Sequence, residues 1–508
     1  MTYTTTSWSS NVLEITLLYT LNCLIPAILV IATAKRSALR YLSIPFLSLI
    51  AHRSVSVATA LGPGFVWCEL ARLFMTVVFQ ALNLLLINPI DGSDIPKKKS
   101  GELIARLYYA TRLFTQPRGI NTPWQIKNPP SHPAYYARRN LTGPPRRHFL
   151  LRQIAIAIWQ YLALDVFATI ALQQALEQKK HELLPPTVQW DLSTEQWIER
   201  IISNLIAGFV VSRMLIDMYH RAFSIFIVGI GLDSPANCPP LYGRAADAGT
   251  LRGFWGKFWH QLVRQPFSSV GAFITSDVLG LPHKSLLERY ANVILVFLFS
   301  GGLHVILDIV QGIPGQESGA MLLFMSAPLG LMIEDGIVAL WRWLGGPNNE
   351  TQGSQNKGNA SPAWQRVIGF CWTMAWASVT STWYFYPQML RPENQNLVPF
   401  SFASVVGLPI VGGVVLLWVN QLQQSKKRVD DLESHIRDLA NLDREERDHR
   451  LTEVIREFDH LKMEEISPSQ ATEISHSYDT ENDAEGESLP YGNPADFSIG
   501  EHGTVSSR

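Results

Sequence analysis

The sequence predicts an all-α polytopic membrane protein with about nine transmembrane helices. Charged residues make up only 17% of the 508 residues, against about 25% in an average soluble protein. The hydrophobic residues, 47% of the chain, gather into blocks of about 20, the length that crosses a hydrocarbon core roughly 30 Å thick. Because a backbone in lipid must satisfy its own hydrogen bonds, these blocks are expected to be helices.

The predicted spans share this length and apolar character, and they are residues 11–33, 39–62, 65–88, 148–175, 200–231, 289–311, 319–343, 364–387 and 398–420. No basic residue precedes the first block, which indicates a transmembrane helix rather than a cleaved signal peptide. Residues 266–282 are apolar but short and contain glycine and proline, so they predict a short re-entrant or interfacial element.

Basic residues predict the orientation in the membrane. Residues 96–147 hold eleven Lys or Arg and one acid, and smaller basic clusters follow the first and last spans. With a lumenal N-terminus all three clusters are cytosolic, as the positive-inside rule requires. We therefore expect a multi-pass protein of the endoplasmic reticulum with a cytosolic C-terminal tail, and unused glycosylation sequons at Asn140, Asn349 and Asn359. The net charge of −1 predicts no nucleic-acid partner.

Three regions are predicted. Residues 1–421 form the transmembrane domain. Residues 422–465 are strongly charged and carry a short apolar stripe with 3-4-3 spacing, which predicts an amphipathic or coiled-coil helix and a possible homodimer through residues 425–465. Residues 466–508 hold eight acids against one arginine and predict a disordered tail.

His304 is the first candidate for chemistry, because it is a single imidazole in an apolar span. Gly301 and Gly302 precede it and would allow another backbone or a ligand to come close. Asp308 lies four residues on, on the same helical face, where its carboxylate could hold the imidazole tautomer. Such an imidazole suits general-base catalysis on an alcohol. The structural alternative is a buried histidine satisfied by a neighbouring helix.

The second candidate is the run from Arg252 to His260, which contains Trp255 and Trp259. Stacking by these rings, with charge pairing by the nearby cations, would suit a phosphorylated ligand that carries an aromatic group. The cations are Arg252, Lys257 and Arg264. The alternative is an aromatic anchor at the membrane interface. The four cysteines have no metal-ligand spacing, so no metal site is predicted.

Three further features carry polar groups. Residues 116–128 form a basic loop whose course two prolines and a glycine fix. Arg213 with Asp217, and Glu69 with Arg72, have the spacing of ion pairs within a helix. Because isolated charges in a membrane are costly, both pairs are predicted to be structural.

The ordered set of three motifs resembles the wax synthase branch of the membrane-bound O-acyltransferases. These motifs are the Pro117–Trp124 loop, the Phe254–His260 run and the Ser300–His304 run, and the resemblance covers about residues 15–420. The loop is similar to that of fungal members attached to terpenoid and meroterpenoid pathways. The resemblance places His304 at the family's catalytic histidine, and His260 where many members carry asparagine.

What the resemblance implies is acyl transfer from an acyl-CoA to a hydroxyl. Acetyl-CoA is expected as cosubstrate, with no bound cofactor, and a lipophilic alcohol of the terpenoid or meroterpenoid class is expected as acceptor. The acyl-CoA would then be bound by Arg252, Lys257 and Arg264. Membrane lipids are the remaining expected partners. A long-chain wax or sterol ester synthase is the nearest alternative. A membrane transporter comes from another class, but the inverted repeat frequent in transporters is not evident in the sequence.

Overall fold

A computed structural model describes residues 5–96, 102–132, 144–178, 193–344, 363–389 and 397–440. Within these ranges the regular structure is helical and no strand occurs. The predicted all-α fold is therefore confirmed. The three sequons, residues 441–465 of the charged segment and the acidic tail lie outside the described residues.

Twelve helices of nine or more residues make up most of the described chain. They are α1 (Thr5–Ala32), α2 (Ala38–Ala60), α3 (Phe65–Ala81), α4 (Glu102–Thr115), α5 (Arg146–Gln178), α6 (Thr194–Asn204), α7 (Ser212–Gly229), α8 (Arg264–Ala272), α9 (Leu286–Val310), α10 (Ala320–Trp343), α11 (Ala363–Met389) and α12 (Leu408–Ala440).

Six of the described helices are both long and apolar enough to cross a membrane. They cover Trp8–Ala32, Ala38–Ala60, Phe65–Ile87, Arg146–Ala171, Leu286–Val310 and Ala320–Trp343. Large apolar side chains point away from the protein along them, with Leu42 66% and Leu151 69% exposed. Exposing so much contiguous apolar surface to water would be energetically unfavourable, whereas its contact with lipid is not. The polytopic membrane fold is thus confirmed.

The other three predicted spans are helical but less regular. Residues 200–229 of the fifth predicted span lie in one long helix, since a π-helical stretch, Leu205–Val211, joins α6 to α7. Residues 364–387 lie in α11. The last predicted span, 398–420, is interrupted, because Gly407 adopts a φ of 99° that ends the short helix Phe402–Val406 before α12 begins. A single continuous span there was wrong, and the apolar part of α12 is only Leu408–Gln421.

The short apolar element is helical without being long enough to span. α8 continues as a π-helical stretch, Phe273–Val278. Residues 264–278 together reach only about 22 Å at 1.5 Å per residue. Their length agrees with the predicted interfacial or re-entrant element.

A first compact unit covers Met1–Trp418. In it α2 packs between α1 and α3, and α9 packs against α3, α8 and α10. The main apolar core joins α1 to α4 with the C-terminal half of α9, through Phe74, Phe114, Leu303 and Leu307. Since His304 lies between those two leucines, this core fixes the position of its helix. The described part of the second unit, residues 419–440, belongs to α12.

Candidate active site

The described residues enclose a cavity of about 520 Å³ within the first compact unit. Its wall includes residues of α3, α5, the α6–α7 junction, residues 255–263, α9, α10 and α11, and most side chains on it are apolar. His260 and His304 both line it. The two histidines, 44 residues apart in the sequence, therefore face one shared chamber, which we call the reaction cavity.

The His304 ring is oriented by its own helix. Its Nδ1 lies 2.7 Å from the carbonyl oxygen of Ser300, one turn earlier. A carbonyl oxygen can only accept, so Nδ1 carries the proton and Nε2 keeps its lone pair. The ring packs against Phe324, at 4.3 Å between centroids, and Tyr384, at 5.6 Å. The imidazole is thus held in the tautomer that a general base requires.

Asp308 does not orient His304 as predicted. Its carboxylate accepts hydrogen bonds from the Ser318 hydroxyl at 2.5 Å and the Gln388 amide at 2.9 Å. Its side chain is buried, with 1% of its surface exposed. Asp308 therefore ties α9 to the α9–α10 loop and to α11. The predicted support for the tautomer comes instead from the backbone of Ser300.

The two glycines before His304 differ in role. A Cβ on Gly301 would lie 2.8 Å from the sulfur of Met321 and 3.3 Å from the Cβ of Phe324. A Cβ on Gly302 would meet nothing within 4 Å. Gly301 therefore allows α10 to approach α9 and brings Phe324 against the His304 ring. The predicted close approach is confirmed for Gly301 only.

The segment that carries His260 turns through a π-helical stretch, Phe254–Phe258. The wide turn lets the amide of Trp259 donate to the Phe254 carbonyl at 2.7 Å. It also stacks the Phe254 and Trp259 rings, at 5.6 Å and 19°. Such turns often occur at functional sites, and a second one, Leu205–Val211, also contributes to the wall of the reaction cavity. Neither π-helical turn has a recognisable signal in the sequence.

Aromatic rings surround the His260 ring in the described structure. The ring lies 5.6 Å from that of Trp259 and 5.9 Å from that of Tyr242. Its Nδ1 is buried without a hydrogen-bond partner among the described residues. Burial, and then the positive charge of Arg72, lower the pKa of His260 to about 3. His260 is consequently neutral at physiological pH.

An aromatic chain joins the surroundings of the two histidines. Trp255 packs on Trp259 at 6.3 Å and on Phe324 at 6.0 Å. Phe324 in turn contacts the His304 ring. The two predicted tryptophans therefore form part of the cavity wall between the histidines. Phe324 and Tyr384 were missed because their sequence signal, aromatic residues in apolar spans, is common to membrane helices.

The three predicted CoA-binding cations lie outside the reaction cavity. Arg252 forms an ion pair with Asp335 at 2.7 Å, and its side chain is 44% exposed. Arg264 donates to the Gly256 carbonyl at 2.9 Å and stabilises the π-helical turn. Lys257 is exposed. Their role in binding acyl-CoA stays a prediction.

The basic loop contacts the segment that leads to His260. The buried Arg118 guanidinium donates to the carbonyls of Pro240 at 2.8 Å and Pro239 at 3.2 Å. Burial lowers its pKa to about 10, so it stays charged at neutral pH. Tyr242, which follows these two prolines in the sequence, packs against Trp259 and His260. The basic loop thus stabilises the segment whose Tyr242 packs against His260.

A second cavity, of about 260 Å³, adjoins the first. The loop residues Gln116, Pro117 and Arg118 line it, together with α3 and α7. We call it the vestibule. Glu69 and Arg72 line both cavities, and the predicted ion pair between them is confirmed at 2.7 Å.

The second predicted ion pair was wrong. Asp217 pairs with Arg221, at 2.7 Å, instead of Arg213. The Arg213 guanidinium lies over the rings of Tyr242 and Phe258, at 5.0 and 5.2 Å from their centroids. It therefore stabilises the aromatic cluster around His260 through cation–π contacts. Spacing along a helix could not distinguish the two partners available to Asp217.

The region around the two histidines matches a known family. The profile of the membrane bound O-acyl transferase family matches residues 238–326, which include both. A protein named acetyltransferase pyr8, from Aspergillus fumigatus, is 37% identical over 77% of this chain and 92% of its own length. The chain belongs to the membrane-bound O-acyltransferase family. The resemblance predicted from the three motifs is confirmed.

Other relatives of this acyltransferase extend the same comparison. Acetyltransferase atnC from Arthrinium sp is 37% identical over 79% of this chain and 94% of its own length. Acetyltransferase TRI7 from Fusarium sporotrichioides is 33% identical over 76% of this chain and 89% of its own. No solved structure matches the chain. The protein is a membrane acyltransferase, an enzyme rather than a transporter.

Proposed function

We propose that this acyltransferase transfers an acetyl group from acetyl-CoA to a hydroxyl of a lipophilic terpenoid or meroterpenoid. The observation that carries the proposal is the single apolar cavity that His304 and His260 share. Acetyl is favoured over longer acyl groups because the relatives compared above are named acetyltransferases. The terpenoid class rests on the likeness of the Pro117–Trp124 loop to fungal members of the family.

The chemistry follows from the orientation of His304. Its Nε2 takes the proton of the acceptor hydroxyl, and the alcohol oxygen attacks the thioester carbonyl carbon. The tetrahedral intermediate carries a negative oxygen, to which the neutral His260 ring can donate a hydrogen bond. When the carbon–sulfur bond breaks, the CoA sulfur takes the proton back from His304. Ester and free CoA are the products.

The two substrates are proposed to reach the reaction cavity by different routes. Acetyl-CoA is charged and water-soluble, so it enters from the cytosolic side through the vestibule, which the basic loop borders. The acceptor is lipophilic and enters from the bilayer. The volume of about 520 Å³ lies in the range of pockets that hold compounds of drug size. Exposed cations of the 252–264 segment would attract the CoA phosphates before entry.

The proposed location is the endoplasmic reticulum membrane, with the basic loops and the C-terminal tail in the cytosol. Residues 96–147 contain eleven basic residues and only one acid, which supports this orientation. Protease treatment of sealed microsomes would test it. Epitopes placed at residues 130 and 480 should both be digested without detergent, and protection of either would contradict the orientation.

The activity can be tested in membranes that contain the expressed protein. Labelled acetyl-CoA and palmitoyl-CoA would be compared with a panel of hydroxylated terpenoids and with a long-chain alcohol. We expect label from acetyl-CoA in a terpenoid ester, and none in membranes with the His304→Ala variant. Transfer of palmitate alone would contradict the acetyl assignment and favour a wax or sterol ester synthase.

A further inference from the structure

Arg72 lies at the junction of the two cavities. It is part of α3, and its side chain contributes to the walls of both the reaction cavity and the vestibule. Only 13% of its surface is exposed. Among the described residues it is the arginine common to both walls. A charge buried inside a membrane protein is energetically costly, and such charges often mark functional sites.

The contacts of Arg72 engage one side of its guanidinium. Nε and Nη2 both bond to Oε2 of Glu69, at 2.8 and 2.7 Å. Nη1 makes no hydrogen bond to any other described residue. Glu69 therefore fixes the direction of the guanidinium and leaves one nitrogen available to a ligand in the cavities. By contrast, the Arg118 guanidinium at the vestibule wall is occupied by backbone carbonyls.

We propose that Arg72 stabilises the sulfur of CoA as it becomes a thiolate. The inference rests on the proposed function. If the acetyl group lies beside His304 and the pantetheine arm occupies the vestibule, the thioester sulfur lies between them, at the junction where Arg72 is. When the tetrahedral intermediate collapses, the electron pair of the carbon–sulfur bond moves to that sulfur. A guanidinium aimed at this point lowers the energy of the departing anion before it is protonated.

The same charge also acts on the neighbouring imidazole of His260, where it helps to lower the pKa. Removing Arg72 alone would leave the Glu69 carboxylate buried without its partner. The variant for testing the proposal is accordingly Glu69→Gln with Arg72→Gln, which keeps two hydrogen-bonding side chains and removes both charges.

The experiment compares CoA with desulfo-CoA, which lacks the thiol. Binding to the purified full-length protein is measured by displacement of labelled acetyl-CoA between pH 7 and pH 9, so turnover is not needed. In the wild type, CoA should bind more tightly as pH rises, because the thiolate becomes more populated. In the double variant, CoA should bind about tenfold more weakly at pH 9, because a charge-assisted contact with the thiolate is lost. Desulfo-CoA should change by less than about twofold.

A matched control removes a similar ion pair away from the reaction cavity. Asp217→Asn with Arg221→Gln eliminates an i,i+4 pair of comparable burial, and CoA should keep its pH dependence there. Equally weakened binding of CoA and desulfo-CoA in the Glu69 and Arg72 double variant would overturn the proposal. It would show that the substitutions affect binding of the pantetheine arm and not of the sulfur. No change in either would overturn it too.

Two further outcomes remain distinguishable. If the double variant fails to fold, Arg72→Lys keeps the charge and must retain the preference for CoA over desulfo-CoA; loss of that preference in folded protein would contradict the proposal. If the wild type binds no acetyl-CoA at all, the proposed function itself fails, irrespective of Arg72.

Discussion

The two histidines of the reaction cavity are held in different ways. His304 lies in a regular helix, and a backbone carbonyl 2.7 Å from Nδ1 fixes both its tautomer and its ring plane. His260 follows a π-helical turn and packs among aromatic rings, and its Nδ1 has no hydrogen-bond partner among the described residues. The first arrangement prepares a base, whereas the second positions a neutral ring. The comparison therefore supports the proposed proton abstraction by His304 and the proposed auxiliary role of His260.

Replacing His304 should have the largest effect. His304→Ala removes the base and should lower kcat by about 10³-fold, since general-base catalysis typically contributes 10²–10⁴-fold. The measurement is acetyl transfer by membranes with matched protein levels. His283→Ala, at a histidine whose side chain is 79% exposed, is the control and should keep wild-type activity. Comparable losses of activity in both variants would contradict the proposed role of His304 as the general base.

Replacing His260 should cost less. His260→Ala removes a donor to the oxyanion and should lower kcat by about 10²-fold, the lower end of the range for one such contact. His260→Asn, which keeps a donor, should recover part of the loss. Because burial lowers the pKa of His260 to about 3, the ring is neutral from pH 5 to pH 8. The acidic limb of the kcat/KM profile should therefore stay unchanged in His260→Asn, and a shifted limb would show that His260 titrates during catalysis.

The glycines before His304 allow a milder test. Gly301→Ala places a methyl group against Met321 and Phe324 and should displace the ring packed on His304. We expect kcat to fall about tenfold, because small misplacements of catalytic groups are costly. Gly302→Ala meets open space and is the matched control. A larger loss in Gly302→Ala would show that the packing between α9 and α10 does not position His304.

The exposed cations should have the smallest effect. Lys257→Ala removes an exposed charge and should raise the KM for acetyl-CoA about two- to threefold with little change in kcat, as exposed charges contribute only about 0–1 kcal/mol. The increase should disappear at high salt. A much larger rise in KM would mean that Lys257 contacts the CoA phosphates directly.

Much of the site could be predicted from sequence because it depends on which residue types occur and on their order along the chain. His304 and His260 were found as polar residues in apolar or aromatic surroundings, and both line the cavity. The close approach of α10 to α9 at Gly301 follows from the absence of a side chain on that glycine. The fold class follows from block length and composition in the same way.

The errors concern the choice between alternative partners. Asp308 shares a helical face with His304, yet Ser318 and Gln388 bind it, and Gln388 is 80 residues away. Asp217 could pair forward or backward along α7, and tertiary contacts decide for Arg221. The π-helical turn at Phe254–Phe258 has no composition signal, and part of its packing, the edge-to-face contact of Trp255 with Phe297, involves a residue distant in the chain. Such choices need the packed structure.

A single-turnover experiment tests the central assignment most directly, because it separates binding from chemistry. Wild-type protein and His304→Ala would be loaded with labelled acetyl-CoA and mixed with the acceptor alcohol. Both proteins should bind acetyl-CoA with affinities within about threefold, since a group used only in the transition state contributes little to substrate binding. Only the wild type should form the labelled ester. Ester formation at the wild-type rate in His304→Ala would contradict the account.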